Sequence, residues 1–340
     1  MSVDQIKDMV KGTLKELGRL KFNQIAQDLQ SYEIMGRIMK REKKQFDDGI
    51  AIQRNLMVRI IEGARHTGLF AVDEVNAGDV LEQITIPWTH TTTNYPFERR
   101  EIAMQRSAAK IVDIVKTRRV GAFLGLAKIM ERDGWSAPAD VSDVLAPWGI
   151  PFWIQKNASE GFNGGNPAGF PAGPGGLSHA NFRNYTGAYT QVSKADLIKL
   201  MRRAYRKIHF ESPVSIPDYR SGRGDRYRIY VNLETMEALE DVGEAQNENL
   251  GRDLAPYDGS IAFRRNPIVW VPYLDADTTN PVYFINYAYF HPVFLRGEYL
   301  REQGPEKAPS QHTTLVVYID LTWNMLCTDR RAQAVLHKPS

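Results

Sequence analysis

The sequence predicts a mixed α+β fold whose strands pair across long stretches of chain. Two patterns carry that expectation. Between Phe97 and Asp133, apolar side chains recur at Ala108, Ile111, Val112, Val115, Ala122, Phe123, Leu126 and Met130, the three-and-four spacing of one helical face. At 1.5 Å per residue such a helix is roughly 55 Å long, several times the usual length. Against it stand β-branched and aromatic runs far apart in the chain, at Val80 to Trp88, Tyr227 to Val231, Val282 to Tyr287 and Thr313 to Leu321.

The 340 residues can bury a large core and suffice for two subdomains. A net charge of +3 neither demands nor excludes nucleic acid. The single cysteine, Cys327, leaves no intramolecular disulfide framework, which suits a reducing cytoplasm. No run of about 18 apolar residues exists and the N-terminal stretch lacks a secretory apolar core, so a soluble, cytosolically made chain without a membrane partner is expected.

Residues 3–45 form a polar, helix-prone arm with one stripe at Ile6, Met9, Val10, Leu14 and Leu17 and another at Ile25, Leu29, Ile34, Ile38 and Met39. It has too little apolar surface to fold alone and should dock on its own subunit or a neighbour. Lys40, Arg41, Lys43 and Lys44 close it, a run that suits a solvated helix end or packaged nucleic acid. Gly49 to Thr93 reads as extended, with Pro87 marking an edge or bulge, and as a hairpin it would be marginal alone in water. In the long helix, Asn94 or Tyr95 is the expected cap, Pro96 the first turn and Gly134 the end. Gly121 and Gly125, four apart, would let another backbone come close, while Lys116, Arg118, Arg119 and Lys128 rule out a membrane span.

Beyond it, Phe152 to Ile154 reads as a short buried strand, and Gly161 to Gly176 is too rich in turn formers for regular structure. Val192 to His209 is a second amphipathic helix capped by Ser193, and Leu233 to Val242 a short one. Strands follow at Ile268 to Leu274 and Val282 to Tyr287. The strong run from Thr313 ends in a basic tail at Arg330-Arg331.

Little of this carries chemistry. The Gly-rich run lacks the Lys-Ser/Thr and following helix of a phosphate loop. The seven histidines show no metal-ligand spacing. No nucleophile motif surrounds a serine, and Cys327 has apolar neighbours. Asp275 and Asp277 could supply paired carboxylates for glycoside chemistry, but adjacent acids in turns are commonplace. Arg220, Arg223, Arg226 and Arg228, set around Gly222 and Gly224, suit solvent or carboxylates on a neighbouring subunit.

Several blocks, in order, resemble major capsid proteins of tailed bacteriophages. They are Gly68 to Asp73, Ile86-Pro-Trp-Thr-His-Thr-Thr-Thr-Asn94, Pro147-Trp-Gly-Ile-Pro-Phe-Trp-Ile154, Gly161 to Gly165, Asp218 to Gly224, Gly243 to Arg252, Asn280 to Phe284 and Val317 to Arg331. The resemblance implies the Hong Kong 97-like fold: an N-terminal arm at 1–47, an extended loop at 48–95 and a peripheral domain at 96–189 with its spine helix at 96–134. It also implies an axial domain at 190–295 and C-terminal strands at 296–340 that return to the peripheral domain.

The implied function is structural, with no catalytic, cofactor or metal site. The subunit would assemble with itself into hexamers and pentamers of an icosahedral shell around double-stranded DNA, in the host cytoplasm, with scaffolding, portal and decoration proteins as further partners. Trp88 and the four arginines from Arg220 to Arg228 are the candidate subunit contacts. Lys40, Arg41, Lys43, Lys44, Lys116, Arg118 and Arg119 are the candidates for facing DNA. The alternatives are an encapsulin-type nanocompartment shell and a soluble α+β carbohydrate-active enzyme using Asp275 and Asp277.

Overall fold

The computed structural model describes residues 32–34, 36, 44–58, 66–69, 80–104, 108–158, 162, 166–167, 169–173, 179–209, 227–247, 261–309 and 311–339. In chain order the strands are β1 (Gln45–Asp47), β2 (Ile52–Met57), β3 (Leu81–Ile86), β4 (Thr89–Glu98), β5 (Tyr185–Ala188), β6 (Tyr227–Val231) and β7 (Ala262–Phe263). Then come β8 (Asn266–Trp270), β9 (Val282–Asn286), β10 (Phe290–Leu295), β11 (Arg301–Lys307), β12 (Thr314–Cys327) and β13 (Ala334–His337). The helices are α1 (Arg99–Met104), α2 (Ala108–Gly134), α3 (Ile150–Trp153), α4 (Leu197–Ile208) and α5 (Leu233–Asn247). They fall into two compact units, one of residues 1–48, 88–134 and 292–324, the other of 49–87, 135–291 and 325–340.

The first unit is organised on β12. β4 lies antiparallel along it, from Thr314 opposite Glu98 to Trp323 opposite Thr89. β11 takes the opposite edge, and the sheet runs β1-β10-β12-β11. Alternation along β4 buries Tyr95 and Phe97 while their neighbours stay more exposed. α2 packs on β4, and its Val115, Leu126 and Met130 are buried. The side chains of Ala108, Ile111 and Val112 lie outside the described residues.

Two sequence expectations change here. Asn94, Tyr95 and Pro96 are strand residues, not a helix cap and first turn, because β12 offers their backbone a ladder. Pro96 is tolerated since β4 pairs on one side only among the described residues. The helix therefore starts at Arg99, and regular α2 runs from Ala108. Among the described residues Gly121 and Gly125 meet no other backbone: a Cβ at either would have nothing within 4 Å. Since glycine costs a helix interior about 1 kcal/mol relative to alanine, Gly121→Ala and Gly125→Ala should each raise the thermal midpoint of the isolated chain, as calorimetry can measure.

Near its end α2 holds part of the arm. Glu131, 1% exposed, accepts hydrogen bonds from the backbone N–H of Glu33 (3.0 Å) and of Ile34 (2.7 Å). Residues 33, 34 and 36 are helical, and Gly36 N–H donates to the carbonyl of Tyr32 (2.7 Å). The carboxylate thus satisfies donors that the first turn of a helix leaves orphaned. Ile34 is buried; the rest of both arm stripes lies outside the described residues.

The second unit has a six-stranded sheet in the order β5-β13-β9-β6-β8-β7. One face carries Tyr227, Ile229, Val231, Ile268, Val282, Phe284, Ala334 and Leu336, packed with Leu197, Met201, Ala204 and Ile208 of α4 and Leu239 of α5. Away from that cluster, Trp135 meets Tyr230 edge-on with ring centroids 5.0 Å apart. α4 begins at Leu197, after Asp196; Ser193 accepts from the N–H of Asp196 instead of capping the helix. α5 runs to Asn247, longer than expected, whereas Pro272 to Leu274 turns into a 3-10 helix after β8. Separately, β2 and β3 pair antiparallel as a two-stranded ribbon.

A second core, of aromatic rings, lies around α3. Phe152, Trp153 and Ile154 are buried as expected, but Ile150–Trp153 is one helical turn, not a strand; Pro151 sits in its first turn. Trp148, Phe152, Trp153, Phe162, Phe170 and Phe182 pack with neighbouring ring centroids 4.6 to 6.2 Å apart. Phe162 and Phe170 come from the Gly-rich run, so its described part seals a core. Gly169 has φ +77°, and a Cβ there would lie 2.4 Å from the carbonyl oxygen of Gln83, so only glycine fits.

Into this core runs Arg330, 0% exposed. It donates from Nε to the carbonyl of Trp153 (2.7 Å), from Nη1 to that of Phe182 (3.2 Å) and from Nη2 to Asn184 Oδ1 (3.1 Å). Its guanidinium lies 4.1 Å from the centre of the Phe162 ring. The expected basic tail is thus half core: Arg331 pairs with Asp329, but Arg330 ties three segments together.

Candidate assembly and nucleic-acid surfaces

The residues expected to face DNA or a neighbour have varied settings. Lys40, Arg41, Lys43, Arg220, Arg223 and Arg226 lie outside the described residues. Lys44 donates to the Tyr299 hydroxyl (2.6 Å), with its ammonium 4.5 Å from the ring centre. Lys116 is 4% exposed beside buried Val115, a poor position from which to meet DNA. Arg118 donates to the Pro96 carbonyl (2.9 Å) and to Glu101 (2.6 Å). Arg119 pairs with Glu302 of β11 and lies 4.9 Å from the Phe123 ring centre. The two arginines fasten the long helix to the sheet beneath it, and both already have acceptors. Trp88, 7% exposed, belongs to the core of this chain and offers a neighbour little surface. Arg228 is no turn residue: it is half-buried in β6, opposite Ile285.

The carboxylates weighed for catalysis both have partners within the chain. Asp275 accepts from the backbone N–H of Leu233 (2.7 Å) and from Trp270 Nε1 (3.1 Å). Asp277 pairs with Lys156 (2.6 Å) and accepts from Thr279 (2.7 Å). Partial burial disfavours its charged form, but the hydrogen bonds from Lys156 and Thr279 outweigh that and hold its pKa below the ordinary value. Its pKa being lower folded than unfolded, the stabilisation is present above the unfolded value and is lost as pH falls through the folded one. Cys327 is fully buried, which pushes its thiol up to about 12. The folded chain should therefore show no thiol to an aromatic disulfide reagent at pH 8 and one after denaturation. Among the described residues no group of histidine, cysteine and carboxylates could hold a metal ion, and no helix is long and apolar enough to cross a membrane.

What residue-by-residue reading of α4 missed is its outer face. Opposite buried Leu197, Met201, Ala204 and Ile208, five exposed cations, Lys199, Arg202, Arg203, Arg206 and Lys207, border one shallow depression. None is paired with a carboxylate among the described residues. The spacing was legible, since 199, 202, 203, 206 and 207 share a helical face. α5 has the opposite character, with Glu237, Glu240 and Asp241 exposed.

The fold is α+β of the Hong Kong 97 type, that of phage major capsid proteins. A capsid chain of cyanophage A-1(L) superimposes with a TM-score of 0.59 at 16% identity, over 94% of this chain and 96% of that one. A capsid chain of a native GTA particle gives 0.59 at 13%, over 95% and 97%. One from cyanophage Pam1 gives 0.55 at 12%, over 94% and 96%. No family model matches the sequence, and no curated protein matches it either.

Proposed function

We propose that this chain is the major subunit of a phage capsid, a structural protein that assembles with itself into hexamers and pentamers of a closed shell around double-stranded DNA. The observation that carries the reading is the fold likeness to capsid chains over nearly the full length of both partners. What one copy leaves uncovered supports it. Met57 and Leu81, paired at the end of the β2–β3 ribbon that residues 58–80 join, are more than half exposed, and Ile50, Leu69, Met104 and Leu145 are at least 82% exposed. A two-stranded ribbon is marginal in water, and apolar exposure of this kind marks surfaces that other chains cover. Many copies then multiply modest contacts into a stable shell.

In this reading α2 is the spine of a peripheral domain, the β2–β3 ribbon belongs to the extended loop expected at 48–95, and the six-stranded sheet with α4 and α5 is the axial domain, which takes in β5 and β13 from outside the expected 190–295. Lys40, Arg41 and Lys43 remain the proposed DNA-facing group, and Arg220, Arg223 and Arg226 a proposed subunit contact. The virion is the destination, reached by assembly in a host cytoplasm with scaffolding, portal and decoration proteins. Particles purified from producing cells should contain nuclease-protected DNA of defined length. Particles filled with a protein cargo would favour a nanocompartment, and a soluble single-chain species with glycosidase turnover would overturn the shell.

A further inference from the structure

We propose that the basic face of α4 docks on the acidic face of α5 in a second copy of this chain. The inference rests on the shell reading and names one of its contacts. Lys199 to Lys207 span about 12 Å of helix at 1.5 Å per residue, with five cations on the side turned from the core. On α5, Glu237, Glu240 and Asp241 are exposed on the side opposite Thr235 and Leu239, which are buried; Glu234, one turn earlier, pairs with Lys338 (2.8 Å). The other three have no cation partner among the described residues. Among the described residues each subunit thus carries two uncompensated stripes of opposite sign.

Their placement decides between a nucleic acid and another copy. Both helices deliver their apolar sides to one core cluster on one face of the sheet, so their charged sides turn away from that same face. A uniformly negative polymer lying across this layer would meet the α5 carboxylates as well as the α4 cations. Only a partner that itself carries both signs satisfies the two stripes together, and a second copy does so by construction. Arginine, three of the five cations, suits bidentate pairing with carboxylates. If the α4 and α5 contacts go to different neighbours, the interface is head-to-tail and can close a ring.

The test uses the full chain and two charge-reversed variants, Arg202→Glu/Arg203→Glu/Arg206→Glu and Glu237→Lys/Glu240→Lys/Asp241→Lys, followed by light scattering and electron microscopy. Each variant alone should assemble at least tenfold more slowly than the parent, whereas an equimolar mixture of the two should recover most of the rate. Circular dichroism reports whether the variants fold. Should either fail to, the parent's assembly rate must still fall with added sodium chloride, and a salt-independent rate overturns the inference. Parent-like assembly of both folded variants overturns it too. So does loss of DNA retention in the α4 variant beside a silent α5 variant, which would assign the basic face to nucleic acid. Failure of the parent to assemble at all would instead strike the shell reading.

Discussion

Replacing Arg330 by methionine should cost the folded chain about 3–5 kcal/mol, read as a lower denaturant midpoint at unchanged slope. Methionine fills much of the volume but donates nothing. The carbonyls of Trp153 and Phe182 and the amide oxygen of Asn184 would each lose a donor where water does not replace it. A buried acceptor stripped in this way costs about 1–3 kcal/mol. The stacking of the guanidinium against Phe162 is lost as well. One term runs the other way: burial lowers the pKa of Arg330 to about 10, the sign that charge is disfavoured there, and methionine removes that penalty. Asn184 Oδ1 keeps the N–H of Gln155 (3.1 Å), but the loss of three buried hydrogen bonds, two of them to main-chain carbonyls, outweighs that gain. Arg330→Lys separates the effects, since it keeps a charge but not the planar fork, and should recover only a minority of the loss.

Removing the carboxylate at Glu131 should have the second largest effect, about 2–4 kcal/mol for Glu131→Ala, because two buried N–H groups lose a charged acceptor together. Its distinctive readout is local. Hydrogen exchange at Glu33 and Ile34 should accelerate by at least tenfold more than exchange in β12, and proteolysis before residue 37 should become faster. Glu131→Gln should fall between, keeping one acceptor and losing the charge. Equal acceleration across the chain would show that Glu131 supports the core at large instead of holding the arm.

Much of the architecture was legible because its signals are local. The long helix is announced by spacing alone, and β6, β9 and β12 by β-branched runs with turn residues between. What escaped depends on distant partners. The segment Asn94-Tyr95-Pro96 looks like a helix start until Tyr318, Val317 and Val316, more than 200 residues later, lie beside it. Arg330 resembles a solvated tail because nothing nearby in sequence reveals that the Trp153 and Phe182 carbonyls wait for it. Of the residues expected to face DNA, Arg118 and Arg119 show the same limit: charge and helical position are local facts, whereas Glu101, Glu302 and the Pro96 carbonyl are partners supplied by the fold. The basic face of α4 is the reverse case, present in plain spacing and overlooked beside the apolar stripe.

The shell assignment turns on whether the folded chain seeks its own kind. Sedimentation velocity of the purified full-length protein, across a hundredfold range of concentration, asks that most directly. A shell subunit should give large closed particles in exchange with capsomer-sized intermediates, and Met57 and Leu81 should lose solvent accessibility as the particles form. A single species of one-subunit mass at every concentration, with those two side chains as exposed as in the lone chain, would contradict it.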